Sequence, residues 1–79
     1  MSTSSKLKAL LNIKGAKIQD LAECLEMNVQ SVRTKFYRNS FSGDDLIKIA
    51  SFLDCDLAFI VDDSQKISLD KTDLKTGRQ

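Results

Sequence analysis

Gln30, Ser31, Arg33 and Thr34 fall within five consecutive positions of a polar segment, Val29 to Tyr37. Gln and Arg are the side chains that form paired hydrogen bonds with adenine and guanine edges in the major groove of a duplex. Val29 can meet a thymine methyl, and Ser31 and Thr34 carry hydroxyls that donate or accept. Residue types suited to other chemistries are sparse. The chain has no histidine, and Cys24 and Cys55 stand apart with no CxxC pair. A structural zinc site needs four Cys- or His-type ligands, so no metal is expected, and both thiols read as small core-filling residues. The paired carboxylates Asp44-Asp45 and Asp62-Asp63 are explained by a helix start and a turn. No nucleophile stands beside a base and no glycine-rich phosphate loop is present, so neither catalysis nor a cofactor is expected.

Two helical elements position that polar segment. Ile18, Leu21, Ala22 and Leu25 recur at helical spacing, giving a short amphipathic helix from about Lys17 to Leu25 that buries all four. Asp20 near its start suits the helix dipole. Asn28 is a good N-cap for the next helix, about Val29 to Tyr37, in which Val32 and Phe36 form the inward stripe. Two helices joined by so short a turn must cross steeply, and the small Ala22 lets them approach closely. This is the arrangement of a helix-turn-helix.

The flanking chain supports the same fold. Lys6 to about Asn12 reads as a first helix with Leu7, Leu10 and Leu11 on one face, Thr3 or Ser4 as its cap and Gly15 as its stop. Phe41 anchors the polar connection Arg38-Asn39-Ser40. Ser42 to Asp45 matches a capping box for a fourth helix, about Gly43 to Leu53, that buries Leu46, Ile49, Ala50 and Leu53 with Ile47 and Phe52 at its flanks. Leu57 to Val61 and Lys66 to Leu69 then read as a hairpin. It either folds back on the helices or pairs an edge strand with a second copy. The expected class is mainly α, a compact four-helix domain over residues 1–69 with a short C-terminal β-hairpin or edge strand at about 57–69. A polar, disordered tail is expected from 70 to 79.

Composition bounds the partners. At 79 residues, 42% hydrophobic and 29% charged, the chain reads as one soluble domain near the lower size for a single core. No apolar run approaches the ~18 residues that span a bilayer, and polar and basic residues interrupt the N-terminal leucines. No signal peptide or membrane association is expected, and the cytoplasm is the expected location. The net charge of +1 hides an asymmetry: residues 1–41 carry seven Lys/Arg against three acids, and residues 42–79 carry five against eight. A basic half beside an acidic half fits a protein with one phosphate-facing side.

Leu21-Ala22-Glu23 with Leu25, then Met27-Asn28, then Val32, resemble the Cro/lambda-repressor type of helix-turn-helix, often called XRE-like. The stretch Lys35 to Ser42, with Asp45-Leu46, Ile49-Ala50 and Leu53, is similar to a subgroup of small bacterial or mobile-element regulators. The resemblance covers roughly residues 6–61. Three positions depart from it. Glu26 stands where the turn usually has Gly, at a cost of about 1 kcal/mol if its φ is positive. Ile18 replaces a Gln that usually contacts phosphate, and Lys17 replaces a Ser or Thr cap.

The resemblance implies sequence-specific binding of double-stranded DNA by a transcriptional regulator, a repressor, acting as a homodimer. Val29, Gln30, Ser31, Arg33 and Thr34 would face bases, and Lys17, Asn28, Lys35, Tyr37 and Arg38 would contact phosphate. Leu57, Phe59, Ile60 and Val61 are the candidate dimer contacts. The alternative is a protein-interaction module, such as an antitoxin or adaptor with a protein partner, built on the same helices.

Overall fold

The computed structural model describes residues 2–74. They form four α-helices, α1 (Thr3–Lys14), α2 (Ile18–Leu25), α3 (Val29–Arg38) and α4 (Gly43–Phe52), then strands β1 (Leu57–Asp62) and β2 (Gln65–Leu69) and a 3-10 turn (Lys71–Asp73). This is the mainly α arrangement with a C-terminal hairpin that the sequence predicts. The chain divides into two compact units, the first ending at Ser42 and the second beginning at Gly43.

In the first unit, α1 begins earlier than its apolar pattern suggests. The cap is Ser2, whose hydroxyl oxygen accepts the Ser5 amide at 3.0 Å. Ser4, one of the two expected caps, instead turns inward and is only 7% exposed. The helix runs to Lys14 and stops at Gly15, whose φ of 67° is the left-handed conformation expected there. Leu7 and Leu11 are buried and Leu10 is half-buried.

Lys17 starts α2 without a side-chain cap, and its own amide is taken by the Asp20 carboxylate at 2.8 Å. Leu21, Ala22 and Leu25 are buried as expected, but Ile18 is only half-buried. As the first helical residue it leans back off the helix end, outside the stripe that packs. Glu26 has φ 57°, so the turn keeps the left-handed geometry although the residue carries a Cβ. Asn28 caps α3 through its side-chain oxygen, which accepts the Ser31 amide at 2.7 Å. Val32 and Phe36 are buried as α2 and α3 pack together. Asn39, φ 55°, ends α3, with the Ser40 amide donating to the Lys35 carbonyl at 3.0 Å.

In the second unit, α4 buries Ile47, Ile49 and Ala50, with Leu53 buried just beyond it. Leu46, expected inside, is half-buried, and Ile47, expected at the flank, is inside. Ile47, Ala50 and Ser51 share one face of α4 and, with Asp54 just beyond the helix, line a cleft with Leu57 and Leu69 of the hairpin. Of the two adjacent apolar residues, Ile47 is the one on the cleft side. Phe52 is exposed, at the flank where the sequence places it.

The hairpin is one residue longer on each side of its turn than expected. Asp62 accepts both the amide and the hydroxyl of Ser64, closing the loop between Asp62 and Gln65. Leu57 opposes Leu69, Phe59 opposes Ile67, and Ile60 opposes Lys66, with an irregularity between Ile60 and Asp62. Alternation therefore places Leu57, Phe59, Ile67 and Leu69 on one face and Ala58, Ile60, Lys66 and Ser68 on the other.

The expected tail opens with structure. Asp70 accepts the Thr72 hydroxyl at 2.6 Å and its amide at 2.9 Å, and these bonds hold its carboxyl below the ordinary Asp value. The rest of that tail, 75–79, lies outside the described residues. Cys24 and Cys55 are unbridged and half-buried. No helix among the described residues is long and apolar enough to cross a membrane.

Candidate nucleic-acid interface

The first unit holds every residue that the sequence assigns to base or phosphate. Because Val32 and Phe36 hold one side of α3 in the core, Gln30, Ser31, Arg33, Tyr37 and Arg38 are all exposed. Gln30, Arg33 and Tyr37 follow at intervals of three and four, so they form one ridge. Seven residues of helix cover about 10 Å, close to three base steps of ~3.4 Å. Tyr37, 91% exposed, ends that ridge.

Hydrogen bonds sort the remaining candidates. The Thr34 hydroxyl donates to the Gln30 carbonyl at 3.0 Å, and the residue is half-buried. Its proton is used inside the helix, so it can offer only its lone pairs and methyl group. Asn28 uses its side-chain oxygen as the α3 cap, which leaves its amide NH2 as a donor for an anion. Lys35 is half-buried and its Nζ lies 3.5 Å from the Ser40 carbonyl, drawn toward the end of α3. Val29 is half-buried. Lys17 is exposed at the start of α2. Lys35 and Arg38 occupy the last turn of α3, where cations complement the helix dipole.

The end of α3 is held by contacts that sequence reading does not reveal. The Ser4 hydroxyl donates to the Phe36 carbonyl at 2.8 Å, and the Ser4 amide donates to the Asn39 side-chain oxygen at 2.8 Å. Phe41 meets the Phe36 ring edge-on, and the Lys8 ammonium lies 5.8 Å from the centroid of the Phe36 ring. Asn39 could have been read as a C-cap, since Asn tolerates positive φ. Nothing local marks Ser4 among the four hydroxyl residues Ser2 to Ser5 as the one that turns inward.

The second unit holds the proposed self-association residues. Phe59 and Ile60 are 65% and 77% exposed, Val61 is exposed and Leu57 is half-buried. Among the described residues, no group of three or more His, Cys, Asp or Glu could hold a metal ion.

A family model described as the Cro/C1-type HTH DNA-binding domain matches residues 6–66. Neither a curated protein nor a solved structure matches the chain.

Proposed function

The chain belongs to the Cro/C1-type HTH DNA-binding domain family, and we propose that it is a transcriptional repressor that binds specific double-stranded DNA as a homodimer. The observation that carries this reading is the exposed Gln30, Arg33 and Tyr37 ridge on a helix whose other side is fixed by Val32 and Phe36. In this docking mode α3 enters the major groove with its first residues nearest the bases. Gln30 and Arg33 read base edges, with Val29, Ser31 and Thr34 beside them. Lys17, Asn28, Lys35, Tyr37 and Arg38 contact phosphate and set the register.

One module of this size makes too small an interface for tight specific binding, so two copies engage half-sites about 34 Å apart. The hairpin supplies the association. A lone two-stranded sheet is marginal in water. Leu57 to Val61 is an unbroken apolar run, whereas β2 carries Lys66 in its interior. Charged residues such as Lys protect an edge strand, which favours β1, with Phe59, Ile60 and Val61, as the side that meets the second copy.

Selection of bound sites from a random duplex pool tests the whole reading. The expected product is a two-fold symmetric site with half-sites one turn apart, bound with an affinity that falls steeply with salt. Binding without enrichment of any sequence would remove the specific regulator. No binding at low salt would favour the interaction module, an antitoxin or adaptor whose partner meets the exposed hairpin.

A further inference from the structure

We infer that Ser4 and Asn39 form a two-way clamp that sets the angle of α3, and that both are positioning residues for sequence-specific DNA recognition. The inference rests on the DNA-binding reading above and names residues that touch neither base nor phosphate in it.

Each residue completes the other's helix end. The first amides of a helix and its last carbonyls have no partner within the helix. In α1, the Ser5 amide is taken by Ser2, and the next orphan, the Ser4 amide, is taken by the Asn39 side chain at 2.8 Å. In α3, the Phe36 carbonyl receives the Ser4 hydroxyl at 2.8 Å as well as the Asn39 amide at 3.3 Å. The Ser4 hydroxyl also lies 3.0 Å from the Asn39 side-chain oxygen. Ser4 is the buried polar residue of the described chain; its hydroxyl bond to the Phe36 carbonyl is buried, where a missing partner is costly, and its bonds to the exposed Asn39 are part-buried.

The clamp matters because of leverage. The start of α3 is fixed by its short turn from α2, with the Met27 amide donating to the Ala22 carbonyl at 3.0 Å. Its end is fixed by Ser4 and Asn39, 35 positions apart from each other in sequence. A ten-residue helix is about 15 Å long, so a tilt of about 4° moves one end by ~1 Å. Paired hydrogen bonds from Gln30 or Arg33 to a base edge do not tolerate such a shift, whereas phosphate attraction does. Losing the clamp should therefore lower specificity rather than overall attraction to DNA.

Asn39→Gly separates this role from simple stability. Gly is favoured at the left-handed position that Asn39 occupies (φ 55°), so the helix end keeps its backbone while the acceptor is removed. Ser4→Ala removes the hydroxyl and leaves the Asn39 bond to the Ser4 amide. The probes are a duplex recovered by site selection and a random-sequence duplex of equal length, each titrated with the full chain and its variants. Asn39→Gly should weaken the selected duplex about tenfold and leave the random duplex within twofold, both titrated well below the melting temperature, which falls modestly because the Ser4 amide loses its partner. Ser4→Ala should lower the same ratio, and the double variant should fall short of the product of the two effects. Amide exchange provides a readout without DNA: the Ser4 amide should exchange faster in Asn39→Gly. An unchanged ratio with accelerated exchange would overturn the positioning role. Unchanged exchange would overturn the clamp itself. A parent chain that prefers no sequence would remove the DNA reading and the positioning role with it, while exchange would still judge the clamp.

Discussion

The ring of Phe41 meets that of Phe36 edge-on, with centroids 4.9 Å apart and planes at 76°. Phe36 is buried on α3 and Phe41 lies just beyond that helix, so the pair ties the returning chain to the core. Edge-to-face pairs contribute about 0.5–1.5 kcal/mol beyond their buried area. Phe41→Ala should destabilise the chain by about 1–3 kcal/mol in urea unfolding, and Phe41→Tyr by much less. Equal stability of the Ala variant would show that the ring pair contributes nothing.

Glu26 occupies a backbone position suited to glycine, with φ 57°. The left-handed conformation costs a residue with a Cβ about 1–2 kcal/mol, part of which is offset by the greater freedom that glycine loses on folding. Glu26→Gly should raise the unfolding free energy by roughly 0.5–1 kcal/mol. The substitution also removes one negative charge from the basic half, so binding to duplex DNA should hold or strengthen. Lower stability would mean that the Glu26 side chain makes an interaction that outweighs the backbone strain.

Arg33 and Arg38 are both exposed on α3 but are assigned different tasks. Arg33→Ala should cost about 1–3 kcal/mol on the selected duplex and relax preference at one base pair per half-site. Arg38→Ala should weaken all duplexes alike and reduce the slope of log affinity against log salt by about 0.9 for each phosphate it no longer neutralises. Titrations at three salt concentrations separate the two patterns. Identical behaviour of the variants would collapse the division between reading and holding.

Ile60 is 77% exposed on a strand with no charged residue before Asp62. Ile60→Lys places a protecting charge on that strand and should shift the chain toward monomer in sedimentation at micromolar concentration. The helical circular dichroism should stay the same, because Ile60 lies outside the helical core. A parent chain that sediments as a monomer at all concentrations would remove the hairpin from self-association.

Sequence reading succeeded where one residue type dictates one backbone state. Gly15 ends α1 and Asn28 caps α3. Periodicity also placed Leu21, Ala22, Leu25, Val32 and Phe36 in the core. It faltered where long-range packing chooses between equivalent neighbours. Leu46 and Ile47 are adjacent and both apolar, and it is Ile47 that is buried and lines the cleft with the hairpin. Four hydroxyl residues in a row open the chain, and only a partner 35 positions away distinguishes Ser4 from the others. For the interface, the exposed set was legible from α3 periodicity. The use of the Thr34 hydroxyl inside its own helix was not, because serine and threonine can bond either inward or outward.

Gln30, Arg33 and Tyr37 are exposed while Val32 and Phe36 are buried on the same helix. On the proposed reading, target choice and foldability are written in separate letters of one ten-residue word. Exchange of the exposed letters would leave the unfolding free energy nearly untouched, since surface changes of this kind usually fall within about 0.5 kcal/mol. A lineage carrying this chain could therefore be redirected to new operators by a few substitutions, without first acquiring compensating changes in its interior.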